Sequence, residues 1–167
     1  GAAPPPEPFR REGGAPRQLT AMPGDQACPT WSHDGRWIYF SNREHRRRDI
    51  WRVPSAGGRS ERISSSGSGV VAFESADARH IIYKLGESDA PLVEVSLSGG
   101  TPRTLIECVP TAWGFSVRGD SVYYEPCRAA RPGEVRVLNR RTGKDSVWAV
   151  VPDRANSWLA DPAISPD

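Results

Sequence analysis

A repeat of just over forty residues constrains this 167-residue chain more than any other feature. Asp34 has a counterpart in Asp77, 43 residues later (77 − 34), and Gly57 has one in Gly99, 42 residues later (99 − 57). Self-similarity at a fixed period means that the chain is built from copies of one supersecondary unit. The unit therefore decides the fold.

Each copy reads as short strands separated by turns. In the first copy the turn signal Asp34-Gly35 precedes an apolar run over 37–41, a second run covers 49–54, and residues 61–64 close the unit. These runs are rich in β-branched and aromatic residues and are bounded by Gly, Pro and Asp, which excludes helical arrays of similar period. Four short strands with a period in the low forties predict a β-propeller blade.

We therefore predict an all-β fold, a β-propeller segment of three tandem four-stranded blades with partial blades at both ends. Three blades and a fraction do not close a ring, so we expect a second copy or further blades to complete it. The predicted boundaries are a Pro/Ala-rich lead (1–12), the last strand of a preceding blade (13–25), three blades (26–64, 65–106 and 107–151) and the start of a further blade (152–167).

Residues 31–41, followed by 49–53 and Gly57-Gly58, resemble the WD40-like Pro-Asp (PD40) repeat of TolB-like propellers. His33 stands where that repeat usually has proline. The resemblance implies a bacterial-type, non-catalytic platform that binds a protein or a small ligand on a propeller face, with a periplasmic or extracytoplasmic location favoured. Related propellers gate peptidases. A regulatory propeller of a serine hydrolase whose catalytic domain lies outside this chain therefore stays open, as does a structural fragment that completes a ring by self-association.

Motifs for catalysis are missing from the sequence. It has no G-x-S-x-G, no H-E-x-x-H and no Gly-rich phosphate loop, and the serine-rich residues 64–69 fall at a blade junction. His33, His45 and His80 fall in turns or strands of different copies. We predict no enzymatic activity, no cofactor and no metal. A net charge of +2 supplies no field for nucleic acid or membrane, so neither contact is expected.

The three cysteines, Cys28, Cys108 and Cys127, are an odd number at unrelated spacings. Such spacings indicate neither a disulfide framework nor a zinc-binding pair. We therefore expect small, buried or half-buried thiols.

The densest charge cluster is the basic run that contains Arg43, Arg46, Arg47 and Arg48. It predicts a surface for phosphate or an acidic partner, against the alternative of a solvated loop between two strands of one blade. Trp113 and Trp158 precede predicted inner strands, where they can form a ligand surface or pack between blades. These six residues are the candidate interaction surface.

Carboxylates near the predicted blade ends raise a second possibility, a central channel that holds a cation. They are Asp25, Asp34, Asp77, Asp120, Glu125 and Asp161. Asp34 and Asp77 belong to turns by motif, which explains them without a metal. The second and third copies, Asp77-Ala78 and Arg118-Gly119, keep half of the Asp-Gly pair, so we expect less regular turns there.

Overall fold

A computed structural model of the chain describes residues 17–151 and contains strands and turns but no helix within that range. The first sheet consists of β1 (Asp25–Trp31), β2 (Trp37–Glu44), β3 (Arg47–Pro54) and β4 (Glu61–Arg62). The second consists of β5 (Gly69–Glu74), β6 (His80–Leu85), β7 (Ala90–Ser96) and β8 (Arg103–Val109). The third consists of β9 (Phe115–Arg118), β10 (Ser121–Tyr124), β11 (Glu134–Asn139) and β12 (Asp145–Val150).

Within each sheet the four strands are paired antiparallel in sequence order. This is the meander of a propeller blade, so the predicted all-β propeller architecture is confirmed for residues 17–151. The apolar runs occupy the second and third strands, where they have neighbours on both sides. In the second blade β6 is almost wholly buried, with Ile81, Ile82 and Tyr83 each 0% exposed.

The core lies between blades. Strand β5 contacts β1, β2 and β3 on one side and β9 on the other. One apolar cluster joins the first two blades around Tyr39, Ile50 and Tyr83. The other joins the second and third blades around Val71 and Phe115. Because each fully buried apolar side chain contributes roughly 1.5–3 kcal/mol, these two clusters make the stacking of blades strongly stabilising.

The first blade exposes the face that points away from the second. Strand β1 is largely solvent-exposed, whereas its counterpart β5 is largely buried. Trp31 and Glu74 both directly precede the serine of the β1–β2 and β5–β6 turns. Glu74 is 7% exposed because it bonds back to the first blade, while Trp31 is 63% exposed. Glu74 contacts the blade before it, whereas Trp31, at the same place in the first blade, is exposed to solvent.

The predicted last strand of a preceding blade lies partly outside the described residues, and residues 17–24 contain no strand. The last strand of a blade pairs with the third strand of the same blade. Residues 17–151 contain no unpaired third strand with which residues 17–24 could pair. Leu19 nevertheless lines an apolar groove together with Ile38, Phe40 and Val53. Leu105, which shares its place in the repeat, packs against the apolar cluster that joins the second and third blades. Residues 152–167 also lie outside the described part.

The turns between the first two strands show that a Ser-x-Asp sequence shapes them. Asp34 Oδ1 accepts hydrogen bonds from Ser32 Oγ (2.7 Å) and Arg36 N (2.9 Å). In the second blade Asp77 Oδ1 accepts the same bonds from Ser75 Oγ (2.6 Å) and Arg79 N (3.0 Å).

The expected irregularity of the second turn is therefore wrong, because side-chain bonds hold Ala78 at φ 52° where Gly35 has φ 68°. The bond from Ser75 contributes most to lowering the pKa of Asp77 to about 2. In the third blade the turn shortens to Gly119 and Asp120, between paired Arg118 and Ser121.

Ala78→Gly is expected to raise the free energy of unfolding by about 0.5–1 kcal/mol. A left-handed alanine costs roughly 1–2 kcal/mol, part of which the greater chain entropy of unfolded glycine offsets. Urea unfolding measures the change, and Gly35→Ala should lower stability by a similar amount. Equal stability of Ala78→Gly and the parent chain would contradict a left-handed residue at this position.

No helix in residues 17–151 has the length and apolarity needed to cross a membrane.

Candidate functional site

The three blades present two ends, which the meander defines. The turns β1–β2, β3–β4 and their equivalents form one end, here called the turn face. The β2–β3, β6–β7 and β10–β11 turns and the segments between blades form the other, here called the connection face. Its loops are residues 45–46, 63–68, 86–89, 110–114 and 125–133, and the strand ends beside them, with Arg43, Arg47 and Arg48, also belong to it.

Contacts between blades show that the connection face is continuous. Arg48 N donates to Gly67 O (2.9 Å), and Arg47 Nη2 donates to Ser65 O (3.0 Å), so β3 is tied to the segment that leads into the second blade. Arg48 Nη1 then bonds Glu87 Oε1 in the β6–β7 loop at 2.5 Å. The ends of the first and second blades therefore form a single surface.

The basic run is not a long loop. Strand β2 continues to Glu44 and β3 begins at Arg47, which leaves a two-residue turn at His45 and Arg46. His45 has φ 58°, as a tight hairpin turn requires. The sequence underestimated both strands because charged residues are depleted in strands generally, whereas here they project from the exposed end of a hairpin.

The four arginines of the candidate surface have different environments. Arg46 is exposed in the turn, and Arg43 pairs with Asp25 (3.1 Å) while its side chain stays half exposed. The Arg47 side chain is 63% exposed and reaches Asp49 at 3.8 Å. Arg48 is only 16% exposed because Glu87 holds it, so it links blades. Arg43, Arg46 and Arg47 therefore form the accessible basic patch.

The tryptophans of the candidate surface differ in what the structure describes. Trp113 lies in the segment between β8 and β9 and is 40% exposed on the connection face. It immediately precedes the inner strand of the third blade, as the sequence indicated. Trp158 lies outside the described residues.

The expectation of three free thiols is wrong. Cys108 at the end of β8 and Cys127 in the β10–β11 loop form a disulfide with Cα atoms 5.5 Å apart, and Cys28 alone is a thiol. A separation of 19 residues carries no pairing signal in a longer chain. The tertiary fold brings the two together because β8 ends beside the loop that leaves β10. Burial is the main reason that the pKa of the Cys28 thiol is raised.

The disulfide borders a cavity of about 660 Å³ between the second and third blades. Asp89, Pro126, Cys127 and Arg128 of its lining belong to loops of the connection face. Its lining combines acidic, apolar and basic side chains with the disulfide: Asp89, Leu105, Ile106, Glu107, Cys108, Tyr124, Pro126, Cys127, Arg128 and Asp145. Tyr124 OH donates a hydrogen bond to Asp145 Oδ2 (2.7 Å). Burial is the main reason that the pKa of Tyr124 is raised to about 12, and this hydrogen bond is the second.

A buried lysine shapes the rim of this cavity. Lys84 is 0% exposed, and its Nζ donates to Gly86 O (2.9 Å) and to Ser88 O within the β6–β7 loop. Burial lowers the pKa of Lys84 to about 8, against the opposing influence of Asp89. The lysine thereby fixes the loop that carries Glu87 and Asp89.

Two buried glutamates join the blades, and the sequence analysis missed both. Glu74 accepts hydrogen bonds from His33 N (2.8 Å) and Tyr39 OH (2.7 Å) of the first blade. Burial is the main reason that the pKa of Tyr39 is raised, and the hydrogen bond to Glu74 is the second. His33 is therefore part of a blade interface on the turn face.

Glu94 performs the equivalent role between the second and third blades. It accepts hydrogen bonds from Arg140 Nε (3.0 Å) and Arg140 Nη2 (2.8 Å) and also binds Arg103. Burial opposes ionisation of Glu94, but the two guanidinium groups outweigh it and lower the pKa of its carboxyl. The sequence did contain a sign of this contact, because Glu94 is a charged residue within the apolar run 92–97. A charge that is buried in such a strand requires a partner.

The predicted carboxylate channel is not assembled among the described residues. Asp34, Asp77 and Asp120 belong to separate turns on the turn face, while Asp25 pairs with Arg43 at the opposite end. Glu125 lies in the β10–β11 loop, and Asp161 lies outside the described part. Within residues 17–151 a different set, Asp89, Cys108 and Cys127, brings potential metal ligands within 4.8 Å of one another.

Comparison with known proteins gives one related sequence and several related structures. No protein-family model matches the chain. An uncharacterized protein of Agrobacterium fabrum, Atu1656, is 31% identical over 107 residues, which cover 58% of this chain and 36% of that protein. This chain thus spans about a third of that relative.

Solved structures with the same architecture are propellers. TolB from Acinetobacter baumannii is 15% identical with a TM-score of 0.61, over 77% of this chain and 33% of that one. A chain of a nidogen/laminin complex is 14% identical with a TM-score of 0.63, over 81% and 53%. An oligogalacturonate lyase in complex with manganese is 16% identical with a TM-score of 0.54, over 82% and 39%. At these identities the similarity concerns the fold, and the chain has the blade architecture of a β-propeller.

Proposed function

We propose that this chain is a non-catalytic binding module of a larger TolB-like propeller protein, and that it takes a protein partner on the connection face. The observation that carries the proposal is the continuity of this face. An exposed basic patch at Arg43, Arg46 and Arg47 adjoins Arg48, which pairs with Glu87 of the β6–β7 loop. Asp89 of the same loop lines the cavity between the second and third blades. Half-exposed Trp113 lies on the same face.

The chemistry of the face favours a partner with acidic groups and an apolar segment. Arginine combines charge with multiple hydrogen-bond donors in a fixed geometry, and tryptophan supplies a large apolar surface, so both are enriched at binding hot spots. The partner's carboxylates would meet the basic patch. Its apolar groups would meet Trp113 and the cavity.

The exposed face of the first blade supports the larger protein. Trp31 occupies the place from which Glu74 reaches the blade before it, and Leu19, Ile38 and Phe40 line an apolar groove on the first blade. A further blade would cover these side chains. A second copy of the chain is the alternative occupant.

Site-specific photocrosslinking in the native host tests the binding face. A benzophenone amino acid in place of Trp113 is expected to capture a partner, and Arg46→Glu with Arg47→Glu should reduce capture at least about tenfold through charge reversal. The matched control is Arg59→Glu with Arg79→Glu on the turn face, which should leave capture unchanged. Stronger capture from a crosslinker at Arg79, or insensitivity to Arg46 and Arg47, would refute this assignment of the face.

A further inference from the structure

The disulfide faces an open cavity. Cys108 and Cys127 are both half-buried and both line the cavity of about 660 Å³ between the second and third blades. A disulfide enclosed by apolar side chains is inaccessible to reductants, whereas one on a cavity wall can be attacked by a small thiol or phosphine. The redox state of this pair can therefore change in the folded protein.

Asp89 lies beside the two sulfurs. One of its carboxylate oxygens and the Sγ atoms of Cys108 and Cys127 all lie within 4.8 Å of one another. Asp89 is exposed, and its carboxylate is close enough to the Lys84 ammonium to oppose the lowering of the pKa of Lys84. Its loop is held in place by the buried Lys84, which bonds the carbonyls of Gly86 and Ser88. The carboxylate is thus presented to the two sulfurs by a loop that Lys84 holds in place.

From this arrangement we infer that the reduced protein binds Zn²⁺ through Cys108, Cys127 and Asp89, so that the disulfide is the closed form of a redox-controlled metal site. Two thiolates and one carboxylate with a water as fourth ligand match the mixed S/O, tetrahedral preference of Zn²⁺. The carboxylate oxygen is a harder ligand than monovalent copper favours. The inference does not depend on the partner of the connection face.

The geometry requires the disulfide to open first. Zn–S bonds of about 2.3 Å in a tetrahedral site place two sulfurs roughly 3.7 Å apart. Cα atoms 5.5 Å apart allow this by side-chain rotation after reduction. While the sulfurs are bonded to each other they have no thiolate charge to donate, so the oxidised form is not a ligand pair.

The redox step is a two-electron exchange. A dithiol reductant attacks one sulfur through its thiolate, the Sγ–Sγ bond breaks, and the reductant leaves as its own disulfide after transferring two electrons and two protons. Zn²⁺ then displaces the two thiol protons to solvent. The charged side chains that line the site are Asp89, Glu107, Asp145 and Arg128. Arg136 pairs with Asp145 at 3.2 Å, so Asp89 and Glu107 supply the negative charge that faces Arg128.

The test uses the full chain with Cys28→Ser, which removes the remaining thiol. After phosphine reduction, Zn²⁺ competition with a chromogenic chelator should show one ion bound per chain, and Co²⁺ should develop a thiolate charge-transfer band. The oxidised chain should bind neither ion. Asp89→Asn should weaken Zn²⁺ binding at least about tenfold, whereas Glu107→Gln, an exposed residue of the same cavity wall outside the ligand set, should have a much smaller effect.

Folding of the reduced chain is followed by circular dichroism in parallel. Reduced protein that unfolds and is refolded by Zn²⁺ would support the site, because a ligand set that forms only in the folded state couples binding to folding. Three results would each overturn the inference. They are equal binding by the oxidised chain, no effect of Asp89→Asn, and a reduced chain, folded or unfolded, that binds no Zn²⁺.

Discussion

Replacement of Glu94 by alanine is expected to lower the free energy of unfolding by about 3–5 kcal/mol, because it strands a buried positive charge. Arg140 donates two hydrogen bonds to Glu94 across the interface of the second and third blades, and its side chain is only 9% exposed. Without the carboxylate, the guanidinium stays desolvated and unpaired. Urea unfolding followed by circular dichroism measures the loss.

Glu107→Ala is the matched control, since Glu107 lies on the neighbouring strand β8 with an exposed side chain. Its effect should stay within about 0.5 kcal/mol. In the double variant Glu94→Ala with Arg140→Ala, part of the stability should return because no buried charge is left alone. Glu94→Ala that unfolds like Glu107→Ala would show that the contact does not hold the blades together.

Loss of the disulfide is expected to have the second largest effect. Cys108→Ser with Cys127→Ser should lower the free energy of unfolding by about 3 kcal/mol, since the bridge closes a loop across a separation of 19 residues and restricts the unfolded chain. Unfolding in urea under non-reducing conditions measures the change.

Cys28→Ser is the control, because this thiol is unpaired and only half-buried. It should leave stability within about 1 kcal/mol. Thiol titration of the denatured, unreduced parent chain provides an independent readout, with one reactive thiol expected per chain. Three reactive thiols would contradict the bridge.

The repeat was sufficient for the architecture. A period of 42–43 residues, turn residues between short runs, and apolar second strands predicted three four-stranded blades, and the structure places strands in all three. Local bonds account for this success: Ser32 and Asp34 build their turn from neighbouring atoms. The prediction of a less regular turn at Asp77-Ala78 was wrong, because it considered only the missing glycine. Ala78 adopts the glycine-like conformation because the side chains of Ser75 and Asp77 hold the turn.

The candidate site could be predicted only in part. The basic run and Trp113 were identifiable because charge and aromatic size are visible in sequence, and both lie on the connection face. That Arg48 belongs to a blade contact was not visible, because its partner Glu87 is 39 residues away. The cavity was equally hidden, since its lining comes from the β6–β7 loop, β8, and the β10–β11 loop with its flanking strands.

By itself the sequence determined the blade: its length, its strand order and its turns, all of which depend on residues close together in the chain. Only the tertiary structure decided which side chains meet between blades. Glu74 with Tyr39, Glu94 with Arg140, and Cys108 with Cys127 and Asp89 are brought together by stacking of sheets. Periodicity encodes which face of a strand is buried, but the residue it meets on the next blade depends on how the sheets are placed, which no local pattern records.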